Sequence, residues 1–292
     1  VFNDDGSPVE LTKLAGRELV PYRRKLQYVF QDPFSALNPR MTVFDIVSEP
    51  LAIHKVGDRA YRIEMVKELM ELVGLDPHFL NRYPHSFSGG QRQRISIARS
   101  LALKPDLLIC DEPVSALDVS IQSQVLNLLA DLRREQGLTY LFISHNLDVV
   151  GYFADRVAVM YLGKVVEIGP VEQVFTKPQH PYTVALISAV PKIEVHNTLD
   201  RLILSGEIPS PINPPSGCRF RTRCWLREQL GNPERCSTEE PILAASPRNL
   251  NVSVACHFPI ADGAAATTRA GRKKIAALAA KSGRVKRAAT PK

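Results

Sequence analysis

The stretch from Pro105 to His145 constrains the fold more than any other part of the chain. Leu107-Leu108-Ile109-Cys110 is too short and too apolar for a surface helix, and it delivers two carboxylates, Asp111 and Glu112. Such a run is expected to be a buried parallel strand with charge at its C-terminal end. A helix follows, expected to be N-capped by Ser120, with Ile121, Val125, Leu128, Leu129 and Leu132 on one face and Gly137 as its stop. A second apolar strand, Leu138 to Ser144, then ends at His145. Strand, helix, strand is a βαβ unit, whose crossover brings the polar ends of both strands to one edge of a parallel sheet. The expected fold class is α/β.

Upstream, Ile63, Val66, Met70 and Val73 recur at helical spacing between Tyr61 and Leu75, with Gly74 as the C-cap. A further helix opens at Phe87-Ser88-Gly89-Gly90-Gln91 and runs to the Lys104-Pro105 break. Two glycines let a backbone approach an anion, while Ser88 Oγ and the free helical N–H groups aim donors at it along the helix dipole. Ser88 to Gln91 therefore reads as a phosphate receptor or as an ordinary serine N-cap beside a flexible glycine pair. Asp111-Glu112 suits a nucleotide site, the first carboxylate holding Mg²⁺ through water and the second orienting or deprotonating the attacking water. In isolation such a pair also caps helices, and a strand-end histidine is often structural. Here one helix and a turn separate Ser88 from Asp111, which favours the nucleotide reading.

Beyond the βαβ unit, Val157 to Tyr161 and Val165 to Ile168 flank Gly163-Lys164 as an expected hairpin. After Gly169-Pro170 the texture turns Pro-rich and irregular, so a domain boundary is expected near residue 170. The net charge of +7 is local: residues 261–292 carry nine Lys and Arg against Asp262, leaving −1 for the first 260 residues. That tail lacks aromatics for base stacking and reads as a solvated extension, with contact to anionic lipid or nucleic acid as the alternative. No apolar run reaches the roughly 18 residues of a spanning helix, so membrane attachment is expected through a partner.

Gln31, Ser88-Gly89-Gly90-Gln91, Leu107 to Glu112, Ser115-Ala116-Leu117-Asp118 and His145 stand in the order and approximate spacing of the ATP-binding cassette ATPases, which this chain resembles. The resemblance implies ATP and Mg²⁺ as cofactors. It makes Gln31 the Q-loop glutamine, Ser88, Gly89, Gly90 and Gln91 the signature, and Asp111 the Walker B aspartate. Glu112 would be the catalytic base, Asp118 the D-loop aspartate and His145 the switch histidine, with Gln31 also near Mg²⁺. Two more stretches are similar to the oligopeptide and dipeptide importers of this family: Gln31-Asp32-Pro33 with Ser35 to Arg40, and His180-Pro181-Tyr182-Thr183. The implied architecture is a nucleotide-binding domain over 1–170, a parallel core sheet with a helical signature subdomain. A small irregular Cys/Pro-rich extension over 171–260 and a basic tail over 261–292 complete it.

The chain departs from the family in having no G-x-x-x-x-G-K-[ST], the loop that wraps the β- and γ-phosphates. With only 30 residues before Gln31, truncation ahead of Val1 is the expected reason, and a natural half-site subunit is the alternative. Cys218, Cys224, Cys236 and Cys256 form a second constellation, with intervals x₅, x₁₁ and x₁₉. Those spacings match neither a zinc ribbon nor the ferredoxin run and leave zinc, a cluster and unligated thiols open. Resemblance to the cysteine-rich end of peptide-importer ATPases implies a structural [4Fe–4S] cluster. Cys110 is expected to be a small apolar residue in a core strand.

These expectations combine into an ATP-hydrolysing subunit of a bacterial importer for di- or oligopeptides. The resemblance implies a second ATPase subunit, identical or not, as partner. It also implies two transmembrane permease subunits and, indirectly, an extracytoplasmic substrate-binding protein. The subunit would be peripheral at the cytoplasmic face of the plasma membrane, with no nucleic-acid partner. The alternatives are a non-hydrolysing regulatory subunit, a same-family ATPase for nickel or another small solute, and a soluble cassette ATPase of DNA repair. The last would carry a coiled coil or zinc insertion, and neither is legible here.

Overall fold

The computed structural model describes residues 2–4, 7–190, 202–247 and 249–261; residues 191–201 and the basic tail from 262 lie outside the described residues. The chain divides into two compact units, residues 1–145 and 146–292.

The first unit opens with an antiparallel pair, β1 (Phe2–Asp4) and β2 (Ser7–Val9). Helix α1 (Val20–Lys25) takes Pro21 in its first turn, where a missing N–H costs no helical bond, and feeds β3 (Leu26–Val29). The single turn α2 (Pro33–Ala36) follows, then α3 (Val43–Ile53) and α4 (Arg59–Leu72). Asp58 caps α4 through Tyr61 N at 2.8 Å, and Gly74 takes the left-handed conformation just beyond its end. Val66, Met70 and Val73 are fully buried, as their spacing implied. Helix α5 (Gly89–Leu101) packs against α2, α3 and α4, which buries Ile95, Ile97 and Ala98 completely. Each of the two isoleucines contributes about 1.5–3 kcal/mol.

Next come β4 (Leu107–Asp111), α6 (Val119–Gln136) and β5 (Thr139–Ile143). The sheet order is β3-β4-β5, all parallel, with Cys110 opposite both Val29 and Phe142. Cys110 is buried, as a core residue should be, and burial pushes its thiol far up. The cap of α6 differs from expectation. Its first intrahelical bond runs from Gln122 N to Asp118 O at 2.8 Å, so Asp118 is the N-cap and Ser120 lies inside the helix. Gly137, left-handed at φ 65°, ends the helix as expected.

The second unit starts with α7 (Leu147–Phe153), capped by Asn146, and continues into β6 (Arg156–Tyr161) and β7 (Lys164–Pro170). Their hairpin turns on Leu162 and Gly163, both at positive φ (45° and 76°), one residue before the expected Gly163-Lys164. Two left-handed residues match the twist of the flanking strands. Helices α8 (Val171–Thr176), α9 (Pro181–Ala189), α10 (Trp225–Gln229) and α11 (Arg235–Thr238) precede β8 (Ala244–Ser246) and β9 (Asn249–Val254). The antiparallel order β6-β7-β9-β8 ties the hairpin to the Pro-rich segment. For that reason the units divide after His145, whereas the boundary expected near 170 falls between β7 and α8. Tyr161, Tyr182, Phe220 and Trp225 fill this core, with Tyr161 and Phe220 edge to face at 5.1 Å and Trp225 Nε1 donating to Pro181 O at 3.0 Å.

Candidate functional site

Parallel register brings the ends of β3, β4 and β5 to one edge, and three expected residues meet there. Gln31 Nε2 donates to Glu112 Oε2 at 3.0 Å, and His145 Nδ1 lies 3.0 Å from Glu112 Oε1. Glu112 is thus held on both oxygens. Its backbone has φ 44°, an uncommon conformation for a residue with a side chain. Glu112 N donates to Ile143 O at 3.0 Å, and Ser115 Oγ donates back to Glu112 O at 3.0 Å, which fix the turn. The His145 side chain is 72% exposed against 24% for Glu112, so the imidazole stands on the solvent side of the carboxylate.

Asp111 has a partner that the sequence reading missed. Tyr28 on β3 donates its hydroxyl to Asp111 Oδ2 at 2.7 Å, and that carboxylate raises the phenol above its ordinary value. The signal available was a tyrosine three residues before Gln31, but assigning it needs the register of two strands far apart in sequence.

Ser88 caps α5 through a reciprocal pair, Gln91 N to Ser88 Oγ at 3.3 Å and Ser88 N to Gln91 Oε1 at 3.0 Å. Accepting that bond leaves the serine proton able to donate outward. Gly90 has a packing reason beyond anion access: a Cβ there would lie 2.4 Å from Ile121 Cγ2 on α6. Gly89 sits against Leu117 Cδ2 and Phe34 Cε2, at 3.5 and 3.9 Å from where a Cβ would be. Phe34 in turn lies under Arg92, whose Cζ is 4.2 Å from the ring centroid. Asp118 is exposed and its side chain makes no cap bond. Among the described residues, no hydrogen bond or ion pair joins Ser88 to Gln91 or Asp118 to the cluster of Gln31, Glu112 and His145.

In the second unit Cys218, Cys224, Cys236 and Cys256 all line one pocket, together with Arg221, Arg227 and His257. Cys218 N donates to Cys236 O at 3.0 Å, and Gly217, at φ 63°, permits this approach, since a Cβ there would come within 2.7 Å of Cys236 O. Backbone N–H groups reach three sulfurs: Phe220 and Arg221 at Cys218, Leu226 and Arg227 at Cys224, and Phe258 at Cys256. Burial nevertheless dominates and raises all four thiols, Cys224 to about 12 and Cys256 well above its ordinary value. Among the described residues no three His, Cys, Asp or Glu donors converge as a metal-ion group.

Comparison with known proteins gives two family matches. Residues 5–115 match the ABC transporter model, and residues 166–230 match the C-terminal region of oligopeptide/dipeptide transporters. A peptide import ATP-binding protein of Brucella ovis is 56% identical over 239 residues, 82% of this chain and 73% of that protein. The dipeptide transport ATP-binding protein DppF of Haemophilus influenzae is 53% identical over 221 residues, 76% of this chain and 66% of that protein. Among solved structures, CbiO1 of Clostridium perfringens, part of the ABC transporter complex CbiONQ, aligns with a TM-score of 0.51 at 30% identity. That alignment covers 59% of this chain and 66% of the CbiO1 chain.

Proposed function

The chain belongs to the ABC transporter ATP-binding proteins of the oligopeptide/dipeptide type, and from that premise we propose that it is the ATP-hydrolysing subunit of a bacterial importer for di- or oligopeptides. One observation carries the catalytic part: Glu112 is clamped by Gln31 and His145 at the edge where β3, β4 and β5 end. Each carboxylate oxygen has two lone pairs, so Glu112 keeps acceptor capacity beside the Gln31 and His145 contacts and can orient or deprotonate a water while both hold it in place. His145 Nδ1 keeps the carboxylate oriented through Oε1.

The residues fit Mg²⁺ by the chemistry of the donor set. Asp111 keeps Oδ1 beside the Tyr28-bound Oδ2, and Gln31 keeps Oε1 beside its donating nitrogen, two hard oxygens of the kind Mg²⁺ takes. Bound there with ATP, the ion would neutralise charge on the phosphates being parted. Ser88, Gly89, Gly90, Gln91 and Asp118 stand apart from this edge, which supports their acting on the nucleotide of a second cassette in a head-to-tail pair. Two permease subunits would meet the segment after Gln31, and a substrate-binding protein would act through them. No described helix is long and apolar enough to cross a membrane, in keeping with a peripheral subunit on the cytoplasmic face.

The four thiols fit a [4Fe–4S] cluster in donor type, since four soft ligands share a pocket and backbone N–H groups reach three of them. Among the described residues the four thiols do not converge as a metal-ion group, so donor type is the only respect in which they fit. The cluster would staple the irregular extension.

The test of the catalytic reading is ATP hydrolysis by the chain, alone and with a cassette carrying an intact phosphate loop. Hydrolysis that appears only on mixing and is lost with Ser88→Ala in this chain is expected. Mixed activity indifferent to Ser88→Ala would remove the signature face from the site.

A further inference from the structure

Within the second unit β7 runs on past the end of its pairing with β9. Glu167 and Ile168 face Val254 and Ser253 in register, and Ala255 N still donates to Val166 O at 2.8 Å. Ahead of that point, residues 164–166 and the irregular segment 240–243 line opposite parts of one groove, with a cavity volume of about 470 Å³. A space of that size holds a small molecule. Its floor is apolar, since Val166, Phe220 and Ala255 line it and are buried. Pro241, Ile242 and Leu243 line it too, and Ile242 is 84% exposed and Leu243 40%. Large apolar side chains left to solvent beside an apolar floor mark a surface that gains by being covered.

Charge gathers at the hairpin end of the groove. Lys164 Nζ lies 2.8 Å from Glu240 Oε1, with both side chains about half exposed. Arg219 also lines the groove, its Nη1 donating to Leu162 O at the hairpin turn, and among the described residues it forms no ion pair. The bond from Lys164 and its charge, with Arg219 adding to them, hold the Glu240 carboxyl below its ordinary value. Glu240 is therefore ionised, and two cations share one carboxylate. An exposed ion pair is worth little, so an incoming carboxylate can take Lys164 from Glu240 at small cost. The guanidinium of Arg219 keeps N–H groups beyond the one on Leu162 O, and such a planar fork binds a carboxylate at two points.

We infer that this groove binds a small carboxylate with an apolar body, the carboxylate between Lys164 and Arg219 and the body against Val166, Phe220 and Leu243. A wholly polar anion would leave the apolar floor unused, and a neutral apolar molecule would leave the second cation unanswered. Amino-acid derivatives and short fatty acids share the required chemistry. The groove includes none of the residues at the edge of β3, β4 and β5.

The full chain, labelled at its valine, leucine and alanine methyl groups, is titrated with N-acetyl-leucine, hexanoate, N-acetyl-leucinamide and acetate and followed by NMR. N-acetyl-leucine or hexanoate is expected to shift the Val166 and Ala255 methyl signals saturably, with Kd on the order of a millimolar for so few atoms. Whichever of the two binds more tightly identifies the source. N-acetyl-leucinamide lacks the charge and acetate lacks the body, and each should bind at least about tenfold more weakly. Arg219→Gln should weaken the better ligand about tenfold, as for loss of a hydrogen bond to a charged group. Glu240→Gln frees both cations and should tighten it by about threefold. No saturable shift at those methyls with either carboxylate would overturn the proposal. Equal binding of N-acetyl-leucinamide, unchanged affinity in Arg219→Gln or weaker binding to Glu240→Gln would overturn it as well. If Arg219→Gln does not fold for want of its bond to Leu162 O, Lys164→Gln decides: weaker binding is expected, and unchanged affinity overturns the site.

Discussion

Both carboxylate oxygens of Glu112 are engaged, one by Gln31 and one by a His145 that stands largely in solvent, whereas the four thiols that share a pocket with Arg227 are raised by burial and Arg227 Nε has no hydrogen-bond partner. The first cluster satisfies its own hydrogen bonds at a solvent edge. The second leaves a buried donor unmade. Self-satisfied polar clusters at a solvent edge can exchange partners cheaply, which suits a switch. Buried donors left unmade cannot exchange with solvent in that way.

The largest effect that tests this contrast is at Glu112. Glu112→Gln keeps the size of the side chain and removes the base, so hydrolysis in the paired assembly should fall by about a hundredfold or more. ATP-dependent association of the two cassettes, measured by gel filtration or light scattering, should survive. Unchanged turnover would take Glu112 out of the catalytic role.

A change in the second unit should leave the first untouched. Cys218→Ser should abolish visible absorbance after anaerobic iron loading while basal hydrolysis stays within about twofold, because a structural staple makes no transition-state contact. A parallel collapse of hydrolysis would end the separation of roles drawn between the two regions.

A pH experiment reaches the second unit without touching its thiols. His180 is fully buried, its Nδ1 accepts Tyr182 N at 3.0 Å as the cap of α9, and burial pushes it down to about 3. The folded state therefore binds this proton less readily than the unfolded chain. The stability that comes from holding His180 neutral is complete above about pH 6.5 and is lost by about 1.4 kcal/mol per unit as pH falls toward 3. Glu167 opposes it. Burial raises its carboxyl, which accepts Gln179 N at 2.8 Å and His180 N at 2.9 Å, so it adds stability as pH falls from its raised value toward 4.5. The difference between wild type and His180→Asn in urea unfolding isolates the histidine, and it should shrink below pH 6.5. A pH-independent difference would mean that His180 takes up its proton as readily in the fold as in the unfolded chain, and that burial does not hold it neutral.

What the sequence disclosed follows the same divide. Apolar runs and caps locate β4, α5, α6 and β5, because short strands and capped helices are decided by neighbours in the chain. The residues after those strands follow from topology. Tyr28 on Asp111 does not, since their bond spans 83 positions and depends on the register between β3 and β4. Asp118 displaced Ser120 as the cap of α6 because backbone geometry set the helix start before either side chain could. The pairing of β7 with β9 is equally hidden, because it joins strands about 85 residues apart whose register no local pattern encodes. Four cysteines are visible in a sequence; that Arg227 would turn an unpartnered nitrogen among them is not.

The smallest expected effect probes how the first unit transmits its switch. Phe34 is 55% exposed, yet its ring is pinned between Gly89 of the signature turn and the guanidinium of Arg92. Arg92 is itself fixed by bonds to Phe87 O at 3.0 Å and His85 O at 3.4 Å, while Arg99 holds Ala36 O at 3.0 Å. The segment after Gln31 is thus fastened to α5 at two points, Phe34 under Arg92 and Ala36 O on Arg99. At an exposed site the Phe34–Arg92 contact is worth about 0.5–1 kcal/mol. A double-mutant cycle of Phe34→Ala and Arg92→Met in urea unfolding should return a coupling of that size. Phe34→Ala alone should lower transport per ATP hydrolysed more than it raises the KM for ATP. Additive variants would mean that the ring and the guanidinium are neighbours without coupling, and the link between Gln31 and the signature would then rest on Arg99 alone.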